Sequence, residues 1–179
     1  MQKSVLIAVC LMFLGACATV DDGNVDVPAG TPYHDPHTVG IVIAANQGEI
    51  DQGNAAASRA TNPDVRAFAQ MMVTDHTTAL AAVRDTSARA GLTPLDNDTT
   101  AALQRGSRET IANLDTWKGA DYDRNYIQSQ IDIHQWLLNQ LDRVLIPTTR
   151  NRDLRSLLET QRAAVAAHLE QARQIRGRL

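Results

Sequence analysis

Three histidines stand where a helical repeat otherwise places apolar residues, and they are the main candidates for chemistry. His76, His134 and His168 each lie three or four residues from aliphatic neighbours, so each is predicted on the inner face of a different helix. Each also lies near the middle of its predicted helix, which would bring the imidazoles to one level of a bundle. Imidazole nitrogens are typical ligands of Zn, Cu and Ni. The pattern therefore favours a transition-metal site of that class over a di-iron centre.

Two carboxylates accompany these histidines. Glu49 lies near the midpoint of the first predicted helix and is expected on the flank of the apolar stripe that contains Ile50. It is the candidate fourth metal ligand. Asp75 directly precedes His76 and is expected to orient an imidazole from outside the ligand set.

A structural polar network without metal is the competing interpretation. Buried histidines can be satisfied by hydrogen bonds from neighbouring polar residues. The available partners are Asn46, Asp75, Gln130, Asp132 and Gln161. Asp132 also fits a solvated surface charge, and an error in the predicted helix faces would separate the three histidines. His34 and His37 lie in or near a linker and need no role.

The known di-iron pattern is absent from this chain. Di-iron bundles use a Glu on each of two helices and Glu-x-x-His on the other two. Here the residues three before the histidines are Val73, Ile131 and Val165. The sequence also contains no nucleophile with an adjacent base, no phosphate-binding loop and no Cys-x-x-Cys pair. It therefore predicts no catalytic residues and no organic cofactor.

Five helices are predicted to position these residues. They span about 37–60, 62–90, 100–114, 119–146 and 151–177, from the apolar periodicity and from helix-start signals such as Asn62-Pro63. Residues 92–119 form a link long enough to run the length of the bundle. The expected fold is all-α, a ferritin-like four-helix bundle of two hairpins with a long crossover carrying an extra short helix. An up-down bundle with a fifth helix laid across it is the alternative.

The N-terminus resembles a bacterial lipoprotein signal. An apolar run ends in Leu14-Gly15-Ala16-Cys17, so residues 1–16 are the predicted signal peptide and Cys17 is the predicted lipidation site. Residues 17–36 then form a flexible tether, and residues 37–179 form the bundle domain. Because Ala18 follows the cysteine, we expect an outer-membrane anchor with the domain facing the periplasm. An ordinary cleaved secretory signal is the alternative.

Composition limits the partners. The net charge of −3 comes without a basic stripe or a set of stacking aromatics, so no nucleic-acid partner is predicted. The two cysteines, Cys10 and Cys17, are accounted for by the signal and the lipid, so no disulfide is expected. The predicted partners are the membrane, through the N-terminal lipid, and an envelope protein. The sequence does not specify the oligomeric state.

Three segments together resemble a known family. They are Asn62–Leu80, Gly119–Leu141 and Leu158–Ala172, with the Asp75-His76 pair as the most specific element. They are similar to the domain of unknown function 4142 family, ferritin-like bacterial envelope proteins often labelled as outer-membrane proteins. The family usually has Asp directly before the histidine of the fourth helix, where this chain has Ile133. The resemblance implies an exported ferritin-like bundle and no particular activity.

Two functions remain open at this stage. The first is an exported, lipid-anchored bundle with a structural, interaction or stress-related role at the envelope. The second is a metal-binding bundle for metal sensing, buffering or protection. An oxidoreductase with a degenerate di-metal site is a weaker third hypothesis.

Overall fold

The computed structural model describes residues 34–179, so the predicted signal peptide, Cys17 and most of the predicted tether lie outside the described residues. Five long helices follow one another: α1 (Asp35–Arg59), α2 (Pro63–Arg89), α3 (Asp98–Leu114), α4 (Gly119–Gln140) and α5 (Arg152–Arg176). A π-helical segment, Leu141–Leu145, and a short helix, Ile146–Thr148, continue α4. Residues 34–179 contain no strand, which confirms the predicted all-α class.

Local signals in the sequence account for most helix ends. The side chain of Asn62 accepts hydrogen bonds from the first turn of α2, as predicted, and Pro63 at the first helical position has no N–H that requires an acceptor. Asn97 and Asn151 cap α3 and α5 in the same way. Gly91 follows α2 with a φ of 67°, a conformation that glycine adopts without strain.

The start of α1 differs slightly from the prediction. The helix begins at Asp35, inside the predicted tether, because Pro36 is compatible with a first helical turn. The Asp35 carboxylate also accepts hydrogen bonds from the backbone N–H groups of Arg150 and Asn151, at 2.8 Å each. This contact ties the start of α1 to the bundle.

The helices form two hairpins joined by a lengthwise crossover. α1 packs against α2, α4 packs against α5, and α2 contacts α5. α3 runs beside α1 in the same direction, since Leu95, just before α3, bonds to Pro36, and Asp115, just after α3, pairs with Arg59. This is the predicted arrangement of two hairpins with an extra helix in the crossover, and α3 does not lie across the bundle.

The buried face of α1 is rotated from the predicted stripe. Of the predicted stripe, which comprises Val39, Ile43, Ile50 and Ala57, only Val39 is buried and the other three are partly buried. The other buried positions include Ile41, Val42, Asn46, Glu49, Gln52 and Ala56. The reason is that α1 packs against both α2 and α3, so two of its sides are covered. Glu49 consequently lies in the buried face and not on its flank.

No helix within residues 34–179 combines the length and the apolar character needed to span a membrane.

Candidate metal centre

The three interior histidines converge in the middle of the bundle. α2 contributes His76, α4 contributes His134 and α5 contributes His168, and all three are buried. Their ring centroids lie 5.4, 5.5 and 5.9 Å apart. One ligand nitrogen from each ring lies within 4.8 Å of those of the other two. The convergence predicted from helical spacing is therefore present in the fold.

Two of the imidazoles donate to oxygens that can only accept. His134 Nδ1 lies 2.8 Å from the backbone carbonyl oxygen of Gln130, one turn earlier in α4. His168 Nε2 lies 3.0 Å from Asp75 Oδ2 on α2. A carbonyl and a carboxylate oxygen both require the proton on the imidazole nitrogen that faces them. These bonds therefore set the tautomer of His134 and of His168.

The third imidazole is held by an amide whose orientation is also set. His76 Nδ1 lies 2.9 Å from Asn46 Oδ1 on α1. The amide nitrogen of Asn46 donates to the carbonyl oxygen of Val42 at 2.8 Å, so its oxygen must face the histidine. His76 consequently donates from Nδ1 as well.

The remaining nitrogen of each ring has no hydrogen-bond partner. These atoms are His76 Nε2, His134 Nε2 and His168 Nδ1, and all are buried. Because the other nitrogen of each ring carries the proton, each of these atoms is an unprotonated acceptor in the neutral imidazole. With all three rings neutral, these atoms are three buried lone pairs without a donor.

Electrostatics favour the neutral imidazoles. Burial lowers the pKa of His76 from 6.5 to about 3, and neighbouring His134 and His168 lower it further. Burial also lowers the pKa of His134 to about 3, with a contribution from His168 that the bond to the Gln130 backbone opposes. Neutral imidazole is the form that binds a metal ion, so these two side chains are ready to act as ligands near neutral pH.

Glu49 is not part of this group. The group of converging ligand atoms contains only the three histidines, although Glu49 is just 2% exposed. Burial raises the pKa of Glu49 to about 7, and a hydrogen bond with the Gln130 side chain partly offsets this. Asn46, one turn earlier on α1, takes the position next to His76. The predicted fourth ligand is thus displaced by one helical turn.

Of the other polar residues predicted as partners of the histidines, Asp75 contacts an imidazole, whereas Asp132 and Gln161 bond elsewhere. Asp75 does hold an imidazole, but that of His168 on α5 and not that of its sequence neighbour. Asp132 is exposed and accepts from Gln128 within α4. Gln161 donates to the backbone of Ala79 at 3.3 Å.

The two histidines near the start of α1 stand apart from the cluster. The rings of His34 and His37 lie 6.2 Å from each other. Neither belongs to the converging group.

Comparison with known proteins finds one family. A model described as a domain of unknown function (DUF4142) matches residues 24–175, which include all five long helices up to the last residue but one of α5. No curated protein and no solved structure matches significantly.

Proposed function

Because the chain belongs to the DUF4142 family, a domain of unknown function, we propose its function from the histidine cluster: the protein is a metal-binding bundle. His76, His134 and His168 would hold one transition-metal ion. The observation that carries this proposal is the convergence of three buried rings, each with one nitrogen hydrogen-bonded to the protein and the other without a partner.

The physical argument concerns unsatisfied acceptors. A buried acceptor without a donor costs about 1–3 kcal/mol, and here three such atoms lie together. One cation bonded to all three would remove these costs at once. In a tetrahedral zinc site with Zn–N bonds of about 2.0–2.1 Å, the nitrogens lie about 3.3 Å apart. The nitrogens here lie within 4.8 Å of one another, so small side-chain rotations would close the site.

The outward bonds resemble the support that protein metal sites give their ligands. A ligating imidazole usually donates its second N–H to a carboxylate, a carbonyl or water, which holds the ring and raises its basicity. Asp75, the Gln130 carbonyl and the Asn46 amide supply such acceptors. A polar network built only for structure would be expected to pair the inward nitrogens too.

The three imidazole ligands limit which metal ions the site would prefer. Three neutral nitrogens without a thiolate favour Zn²⁺, Cu²⁺ or Ni²⁺, whereas Mg²⁺ and Ca²⁺ prefer oxygen ligands. The Glu-x-x-His pairs of a di-iron centre are absent from the sequence. The roles that follow are metal sensing, buffering or protection.

A location at the cell envelope is the second part of the proposal. It is supported by the Leu14–Cys17 pattern, which is typical of a lipid-anchored protein. In this setting the bundle would be held at the outer membrane on the periplasmic side. A structural or interaction role there is the second candidate function, and it requires no metal.

Metal retention tests the proposal. The protein, purified without a histidine tag, is loaded with Zn²⁺, Cu²⁺ or Ni²⁺, desalted and assayed for bound metal. We expect about one equivalent in the native protein and none in a His76→Ala/His168→Ala double variant. His37→Ala is the matched control, since it removes a histidine outside the cluster and should leave the metal content unchanged.

Circular dichroism of the double variant separates a lost ligand from a lost fold. A folded double variant without metal supports the site. Native protein that retains none of the three metals would contradict the proposal and leave the histidines as a structural network. The envelope-interaction role would then be the better candidate.

A further inference from the structure

A cavity lies directly beside the histidine cluster. Its volume is about 60 Å³, and His76 and His168 form part of its wall, whereas His134 does not. Aliphatic side chains such as Val42, Leu137 and Leu141 form most of the remaining wall. Asp75, whose side chain is 47% exposed, lines it too, so the cavity connects the surface to the imidazoles.

The cavity occupies only one side of the histidine level. Besides Asn46, the α1 residues that line the cavity precede Asn46 in the chain. The lining residues from α4 and its π-helical continuation follow His134, and the remaining lining residues from α5 precede His168. Because neighbouring helices in each hairpin run in opposite directions, earlier residues on α1 and α5 and later residues on α4 all lie toward the same end of the bundle. That is the end where Asp35 meets Asn151.

The opposite side of the histidine level is filled. Met72 precedes His76 by one turn, Tyr126 and Ile127 lie two turns before His134, and Ala172 follows His168 by one turn. All four belong to the packed hydrophobic core and are 0% exposed. Core side chains therefore lie on one side of the imidazoles, and the cavity lies on the other.

An irregularity in α4 accompanies the cavity. The segment Leu141–Leu145 is π-helical, with the N–H of Ile146 donating to the carbonyl oxygen of Leu141. The side chains of Leu141 and Leu145 both line the cavity. Single π-helical turns inside α-helices are rare and are frequently found at functional sites. This one contributes two aliphatic side chains to the cavity wall.

From this placement we propose that a metal ion on the three imidazoles keeps an open coordination position facing the cavity, where a small exogenous ligand binds. The inference rests on the proposed metal site. Three protein ligands and one open position distinguish catalytic and ligand-binding zinc-type sites from closed, four-ligand structural ones. The other polar side chains in the wall are already engaged, since Asn46 accepts from His76, Asp75 accepts from His168 and Gln161 donates to the backbone of Ala79. The wall contains no thiolate and no imidazole beyond His76 and His168.

The size and walls of the cavity define the class of ligand. Since about 10–15 Å³ of such space is enough to hold one water molecule, the cavity fits a molecule of only a few heavy atoms. The walls contain no Lys or Arg, and most are aliphatic. A small, weakly hydrated donor such as a linear triatomic anion fits this environment better than a bulky or highly charged one.

Azide binding to the copper-loaded protein tests the inference. The full chain is loaded with Cu²⁺, its copper content is measured, and azide is then titrated while the ligand-to-metal charge-transfer absorption is followed. We expect saturable binding with one azide for each copper. In Ala79→Leu, which fills the cavity from α2, we expect the azide dissociation constant to rise by about tenfold or more with unchanged copper content.

Ala81→Leu is the matched control, because Ala81 lies two residues along α2, is exposed and does not line the cavity. It should bind azide as the native protein does. Retained copper with no azide response would overturn the open position while leaving the metal site intact. If Ala79→Leu bound azide as tightly as the native protein, azide would not bind in the cavity. Native protein that fails to retain copper would reject the metal site and this inference with it.

Discussion

At the scale of single residues, three buried ionisable side chains have strongly shifted pKa values. His76 and His134 are neutral in the fold, because burial lowers their pKa values to about 3. Glu49 shows the opposite effect, since burial raises the pKa of its carboxyl group to about 7. All three side chains therefore prefer the uncharged form, as expected for groups removed from water without a charged partner.

These shifts have opposite consequences for stability. Between about pH 6.5 and 3, the unfolded chain binds protons on His76 and His134 that the folded state does not, so stability falls as the pH falls. Between about pH 4.5 and 7, folded Glu49 keeps a proton that the unfolded chain loses, so stability falls as the pH rises. Between about pH 4.5 and 6.5 both effects act, so the two protons that the histidines take up on unfolding are partly offset by the one proton that Glu49 releases.

Removal of the Glu49 carboxyl group should make the free energy of unfolding rise more steeply with pH between about pH 4.5 and 6.5. From these three groups, the metal-free protein should gain about 1 kcal/mol of stability for each pH unit from pH 4.5 to 6.5, because the unfolded chain binds one more proton than the folded state. In Glu49→Gln this slope should roughly double, because only the contribution of the two histidines remains. Urea unfolding at several pH values measures both slopes.

Asp51→Asn is the control for this prediction, because Asp51 is an exposed carboxylate on the same helix. Its profile should follow that of the native protein. Parallel profiles for Glu49→Gln and the native chain would show that Glu49 does not titrate differently in the folded and unfolded states.

At the scale of elements, close backbone contact holds the crossover against α1. A Cβ atom at Gly40 would collide with the backbone carbonyl of Leu95, in the loop before α3. The N–H of Leu95 also donates to the carbonyl oxygen of Pro36 at 3.0 Å. The absence of a side chain at Gly40 therefore allows this loop to lie directly on α1.

Gly40→Ala should destabilise the protein by about 1–3 kcal/mol, the usual cost of forcing additional atoms into a packed contact. Gly106→Ala is the matched control, since nothing lies within 4 Å of a Cβ added there. Because alanine favours a helix interior, Gly106→Ala should be neutral or stabilising by up to about 1 kcal/mol. Chemical unfolding of both variants measures the difference, and equal stabilities would rule out the proposed clash.

At the scale of the whole molecule, two aspartates join the hairpins at opposite ends. Asp123 on α4 is 1% exposed and accepts from the backbone N–H groups of Thr61 and Asn62 and from the Thr61 hydroxyl group. It thus holds the turn between α1 and α2. Asp35 on α1 accepts from the turn that precedes α5. Each hairpin therefore caps the turn of the other.

Removing these carboxylates should weaken the two ends independently. Asp123→Ala should cost about 2–3 kcal/mol, because it removes a buried carboxylate that accepts three hydrogen bonds, whereas Asp35→Ala should cost about 1 kcal/mol at its more exposed position. α1 is 25 residues long, so the sites are about 35 Å apart and the costs should add within about 0.5 kcal/mol. Unfolding of both single variants and the double variant tests this.

Asp132→Ala serves as the control for the pair, since Asp132 is exposed on α4. It should change stability by less than about 0.5 kcal/mol. A double variant much less stable than the sum would show that the two ends are coupled through the bundle.

Local patterns explain why much of the site was predictable. In α2, α4 and α5 the apolar stripe is narrow and polar residues cover the rest, so the helical period placed His76, His134 and His168 inside. In α1 apolar residues occur on several sides, as in Val39-Gly40-Ile41-Val42-Ile43. The period there does not select one face, and for that reason Glu49 was predicted on the flank of the stripe although it lies in the buried face.

Other features of the site have no local signal. The carbonyl of Gln130 holds His134, but every residue has a carbonyl group, so nothing in the sequence marks this one. Asp75 contacts His168, 93 positions away, because α2 and α5 are neighbours in the fold. The π-helical segment likewise depends on packing, since its residues continue the ordinary apolar pattern of α4.

The sequence by itself determined the all-α class, the order of the helices, most of their caps and the inward direction of three histidines. Each of these depends on interactions within about one or two helical turns, which the chain encodes directly. Only the tertiary structure decided the buried face of α1, the tautomers of the imidazoles and the cavity on one side of them. These depend on which surfaces meet across the bundle, and such contacts are set by the packing of distant segments against one another.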